Sequence, residues 1–118
     1  MVDERRKSPR IEAQSAALQI NNQLDGSELG TVANLSIGGL LLISNRELFQ
    51  DGVLQLSILA LQHEHISGGE IPIGVRVLWS APARSPNQHW AGLEIIDIGP
   101  DARSDLARLL DHLQQQSG

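Results

Sequence analysis

Cysteine is absent from the 118 residues. Without a thiol there is no disulfide framework and no thiolate metal site, and the chain suits a reducing cytosol. Aromatic residues are almost as scarce: Phe49, Trp79 and Trp90 are the whole set. A single-strand nucleic-acid binder stacks bases on aromatic rings, and this chain has little from which to build such a platform. Positive charge is also short, with nine Lys and Arg against fourteen Asp and Glu and a net charge of -5. Duplex binding rests on many cationic contacts to phosphate, so that balance argues against a DNA or RNA polymer as partner. No apolar run approaches the roughly 18–20 residues that cross a bilayer. The N-terminal charges are not followed by the apolar stretch of a secretory signal. The expectation is a cytoplasmic protein without membrane insertion.

What is present is ordinary for a folded domain: 41% hydrophobic and 19% charged residues in a length that supports one core. Period-2 alternation dominates the chain until its last twenty residues or so. Ala16, Leu18 and Ile20 alternate with Ala17, Gln19 and Asn21 in a first strand. The Asp-Gly of Leu24–Ser27 marks a turn. A second strand is expected near 29–36, with Leu29, Thr31, Ala33 and Leu35 sharing one inward face. A third follows Gly38–Gly39, and a fourth spans 53–61 with Leu54, Leu56, Ile58 and Ala60 inward.

After the polar loop 62–70, Ile71, Ile73, Val75, Val77 and Trp79 share a face of the next strand, and Pro72 places its start at an edge. The last strand carries Ala91, Leu93 and Ile95 on its apolar face. The period then changes to 3.6. Ala102, Leu106, Leu109, Leu110 and Leu113 form one helical stripe, with Pro100 at the first helical position and Asp101 and Asp105 near the positive end of the dipole. The final Gln-Gln-Gln-Ser-Gly is expected to fray. The predicted architecture is a six-stranded antiparallel β-barrel with a C-terminal α-helix. Residues 1–12 form an N-terminal arm, 13–98 the barrel, and 99–118 the helix and tail. The stripe must be buried across a barrel opening, over a barrel side or against a second chain, and the pattern does not choose among these.

Two short motifs stand out. Four of the nine basic residues crowd into Arg5–Arg10. Pro9 disfavours a helix there and pushes Ser8 toward an extended conformation, so Arg6 and Arg10 lie within about 13 Å of each other. Arginine forks bond phosphate and the guanine O6/N7 edge bidentately and stack on flat rings. The second motif is Asn34-Leu-Ser36-Ile-Gly38-Gly39. Asn34 and Ser36 are two apart on a strand, so both are expected to look outward together, with hydrogen-bonding groups suited to a base. Gly38 and Gly39 permit a positive φ or a close backbone approach. Taken singly, a solvated charged tail and a polar strand end explain each motif.

Together, in this order and over this barrel pattern, they resemble the PilZ domain family of bacterial cyclic di-GMP receptors. The family pattern is Arg-x-x-x-Arg in an N-terminal arm followed by (Asp/Asn)-x-Ser-x-x-Gly. Arg6 and Arg10 match the first part, and Asn34, Ser36 and Gly39 the second; Asn at 34 is an allowed variant. The strand ending in Trp79 and the glycine-containing last strand also look like the family, and the resemblance runs from Glu4 to about Leu113. It implies a mobile arm that wraps over the barrel when the ligand arrives. Arg6 and Arg10, with Arg5 adjacent, would hold phosphates and guanine edges. Asn34 and Ser36 would bond a guanine from the barrel side, and Gly38 and Gly39 would let the backbone come close. It also implies relay of the signal to an effector protein, since no effector domain is expected within these residues. Whether one or two ligand molecules bind, and the oligomeric state, stay open.

The remaining candidates are plainer. His63-Glu-His65 has a metal-like spacing, but no third ligand lies nearby in sequence, so a solvated loop is expected. Arg76 is expected to be solvated, and both tryptophans to pack in the core or at its rim. No nucleophile–base pair, phosphate loop or paired acid is present, so no enzyme and no metal are expected. The alternative to a receptor is a protein-interaction adaptor that keeps the fold and binds no nucleotide.

Overall fold

The computed structural model describes residues 11–12, 18–60 and 66–117. Arg5, Arg6, Arg10 and the His63–His65 triplet lie outside the described residues. The strands are β1 Ile11–Glu12, β2 Gln19–Asn22, β3 Glu28–Ser36, β4 Gly39–Ser44, β5 Val53–Leu59, β6 Glu70–Pro82 and β7 His89–Asp97, followed by α1 Pro100–Ser117. All described pairings are antiparallel. Around the ring the order is β3-β2-β5-β6-β7-β4, and β4 pairs back onto β3, so six strands close a barrel. Closure removes exposed sheet edges. β1 is a short addition beside β2 on the same side of β3, with Ile11 opposite Leu35 and Glu12 opposite Asn34.

The barrel interior is filled from each of the six barrel strands β2 to β7: Ile20, Val32, Leu35, Leu40, Leu42, Leu56, Ile58, Ile71, Val75 and Leu93 are fully buried in one cluster. Each such side chain contributes about 1.5–3 kcal/mol relative to exposure. Pro72 pairs with Ser57 of β5, while β7 does not begin to pair with β6 until Gly74. The missing proline N–H therefore faces no strand, as its position near an edge required.

Four bulges decide which face each residue occupies. Leu29 and Ala33 are the extra residues on β3, Leu78 on β6 and Ile96 on β7. Each bulge reverses the alternation. Hence Val32 and Leu35 point inward, and Thr31, expected inward, is exposed. The same device turns Trp79 out of the core: Ile71, Ile73, Val75 and Val77 are buried as expected, but beyond Leu78 the ring of Trp79 is 44% exposed on the outer wall.

The helix resolves the choice that its stripe left open. Ala102, Leu106, Leu109 and Leu113 are buried in the barrel's own cluster, and α1 packs against β6 and β1. Its stripe is thus a stopper on the barrel core, held where α1 meets β6 and β1. Asp105 is buried on the same side, and Arg108 Nη2 lies 2.6 Å from its Oδ1. The helix continues to Ser117, through the glutamines expected to fray. Glutamine is a good helix former and needs no buried face to extend the backbone hydrogen bonds. Among the described residues no helix is long and apolar enough to cross a membrane.

Candidate functional site

The Asn34–Gly39 motif forms the turn between β3 and β4. Ser36 pairs with Gly39, and Ile37 and Gly38 make the link. The Ser36 hydroxyl donates to the Gly39 carbonyl at 3.2 Å and accepts from the Gly38 N–H at 3.3 Å. It is 5% exposed, not the open outward donor that simple alternation implies. Both bonds are long, the first beyond the usual O–H···O range and the second just past the usual N–H···O range. The Gly38 carbonyl accepts from the Ile95 N–H at 2.9 Å, which ties the turn to β7.

The two glycines differ. Neither has a positive φ. A Cβ on Gly39 would lie 2.3 Å from the Leu93 carbonyl oxygen, so β4 and β7 approach too closely there for any side chain. A Cβ on Gly38 would meet nothing within 4 Å. The close approach anticipated for this motif is made by β7 itself at Gly39, and open space lies over Gly38.

Reading across the strands gives two rows on the outer wall. The first runs Asn34, Leu41, Gly92, Trp79. Asn34 is half-buried. Gly92 lies beneath Trp79: a Cβ there would fall 2.3 Å from the indole Nε1. The absent side chain lets the ring lie along the wall in the row of Asn34, three strand spacings or about 14 Å away. The second row runs Ser36, Gly39, Glu94, Arg76. Arg76 Nη2 pairs with Glu94 Oε1 at 3.0 Å, both side chains nearly half exposed, so Arg76 is not simply solvated. Within these rows the two charges cancel.

Alternation alone missed the outer-wall position of Trp79. The available signal was a glycine inside β7 at a register position that could face a tryptophan, since strand glycines mark close approach. Among the described residues no group of three or more His, Cys, Asp or Glu converges in a way that could hold a metal.

The wall so described has counterparts. The chain resembles the solved Bacillus subtilis inhibitor of motility MotI/DgrA, with TM-score 0.68 and 21% identity over 96% of this chain and 53% of that one. It resembles the PilZ domain of Escherichia coli YcgR with c-di-GMP, with TM-score 0.71 and 15% identity over 97% and 95% of the two chains. It resembles the K. pneumonia MrkH–c-di-GMP complex, with TM-score 0.72 and 18% identity over 98% and 55%. The chain thus spans about half the length of MotI/DgrA and of MrkH. A search of curated protein sequences gave no match. The sequence model of the PilZ domain matches residues 4–112, a range that includes Arg5–Arg10, Asn34–Gly39, the barrel strands and most of α1. The chain belongs to the PilZ domain family.

Proposed function

We propose that this chain is a receptor for cyclic di-GMP, holding the dinucleotide between the Arg5–Arg10 arm and the outer wall at Asn34–Gly39. The observation that carries the reading is the register of β1. Ile11 stands opposite Leu35 and Glu12 opposite Asn34, so the root of the arm is bound to the strand that bears the second motif. Arg10 is one peptide bond, about 3.8 Å from Cα to Cα, from Ile11. The family match across residues 4–112 and the c-di-GMP complexes of YcgR and MrkH support the same assignment.

In this reading Arg6 and Arg10 bond phosphate oxygens and guanine O6/N7 edges and stack on the bases, with Arg5 adding charge. Asn34 and Ser36 bond a guanine from the wall, Ser36 by exchanging its long turn bonds. Open space over Gly38 admits the ligand, and the Trp79 ring offers a flat apolar face at the far end of the Asn34 row. The wall rows carry no net charge, so the arm supplies the attraction for a dianion. Fixing Arg5–Arg10 costs about 6–12 kcal/mol of backbone entropy, which the charge-assisted bonds and stacking must exceed. The fixed arm then presents a new surface to an effector protein in the cytoplasm, and no catalysis is involved.

One observation favours the adaptor alternative: Ser36 and Gly39 each have a structural task that needs no ligand. Calorimetry decides. Cyclic di-GMP should bind the wild-type chain, and Arg6→Ala or Arg10→Ala should abolish binding while leaving thermal stability unchanged. A flat titration of the wild type at tens of micromolar ligand selects the adaptor.

A further inference from the structure

The Ser36 row contains a carboxylate in an unexpected place for an anion site. Gly39 separates Ser36 from Glu94 and has no side chain to screen one from the other. The Glu94 Cα lies 3.5 Å from the position a Gly39 Cβ would occupy. Neighbouring strands are about 4.8 Å apart, so Glu94 stands roughly 10 Å from Ser36 along the row, close to one Debye length at physiological salt. A bare carboxylate there opposes a dianionic ligand. One strand further, Arg76 Nη2 holds Glu94 Oε1 at 3.0 Å. The side chains are 47% and 44% exposed, and an ion pair so exposed contributes little to stability. Stability therefore gives the pair little weight, and its Glu94 sits one strand from the turn proposed to meet the ligand.

We infer that Arg76 sets the affinity of the anion site by masking the Glu94 carboxylate, acting through Glu94 and without touching the ligand. The inference rests on the reading that a dianionic guanine dinucleotide lies against Ser36 and Gly39. Arg76 is a positioning residue in this scheme. Its loss unmasks a negative charge facing two phosphates, and the penalty grows with the charge of the ligand and shrinks with salt.

The test is a double-mutant cycle by calorimetry at low and physiological salt. The ligands are cyclic di-GMP and the more highly charged linear dinucleotide pGpG. Arg76→Ala should weaken cyclic di-GMP about fivefold at low salt, with a smaller loss at physiological salt and a larger loss for pGpG. Arg76→Lys, which keeps the charge, should restore most of the affinity. Glu94→Gln should bind as well as wild type or better, and the Arg76→Ala/Glu94→Gln double variant should fall within twofold of Glu94→Gln. If the double variant stays as weak as Arg76→Ala, Arg76 touches the ligand and the inference is wrong. A weakened Glu94→Gln would make Glu94 a direct acceptor, and an unchanged Arg76→Ala would make the pair irrelevant; either overturns it. Absence of wild-type binding removes the receptor reading first, and this inference with it.

Discussion

The adjacent glycines of the motif make opposite predictions. At Gly39 an added methyl would sit 2.3 Å from the Leu93 carbonyl oxygen, 3.4 Å from its carbon and 3.5 Å from the Glu94 Cα. An ordinary contact to oxygen needs at least about 3 Å, and the obstacle is backbone, so β4 and β7 must part by the best part of an ångström at the first of their six paired positions. Overpacking of that kind costs about 1–3 kcal/mol, and disturbing the bond from Ile95 N–H to the Gly38 carbonyl adds about 1 kcal/mol. Gly39→Ala should therefore destabilise by about 2–4 kcal/mol. At about 4 °C per kcal/mol for a domain of this size, its Tm falls by about 8–16 °C. Gly38→Ala meets open space with no positive φ to forbid it. It should leave Tm unchanged or raise it by a few degrees, because alanine restricts the unfolded chain. Thermal melts by circular dichroism, with urea midpoints as a second readout, give both numbers. Equal effects at the two positions, or a larger loss at Gly38, would refute the idea that β4–β7 packing dictates the motif glycine.

Other outcomes rest on the same geometry. Leu106 is fully buried in the barrel cluster, so Leu106→Ala should cost about 2–5 kcal/mol in chemical denaturation; a loss below about 1 kcal/mol would mean that α1 is a detachable surface and not a stopper. Trp79→Ala should leave the fold nearly intact, because the ring is 44% exposed, but weaken cyclic di-GMP about tenfold, the scale of one base stack; unchanged calorimetric affinity removes Trp79 from the site. The Asp25 carboxylate accepts from the Ser27 hydroxyl at 2.7 Å and the Ser27 N–H at 2.9 Å, which holds its pKa below the ordinary aspartate value. A depressed carboxylate stabilises the fold above its unfolded pKa, and that contribution is lost as pH falls through the folded value. NMR titration should find Asp25 low, and Ser27→Ala should move it upward.

The alternating faces of β5, of β6 up to Val77 and of β7 up to Ile95 were legible because those stretches keep strict period-2 patterns; the β7 bulge at Ile96 falls after them. β3 was not, because Leu29 and Ala33 look like ordinary strand residues while each reverses the face of its successors. Leu78 did the same to Trp79, and a period-2 pattern cannot announce a two-against-one pairing that depends on the partner strand. The helix was legible as a stripe, but its docking on β6 and β1 is a tertiary fact. The Asn34–Gly39 motif was legible as a motif. Its chemistry was half visible: Asn34 and Ser36 do lie on the outer side of β3, yet the serine is buried in its own turn and the glycine answers to Leu93. The Arg76–Glu94 pair was hidden, since only cross-strand register brings residues eighteen apart together.

The proposed closure of arm and wall on a shared cyclic di-GMP site is tested in one experiment by amide hydrogen exchange with and without the ligand. Ligand should slow exchange together at Arg5–Arg10 and at Asn34–Gly39, while the buried strand β5 is unchanged. Protection confined to another part of the barrel, or binding that leaves Arg5–Arg10 exchanging at the ligand-free rate, would contradict it.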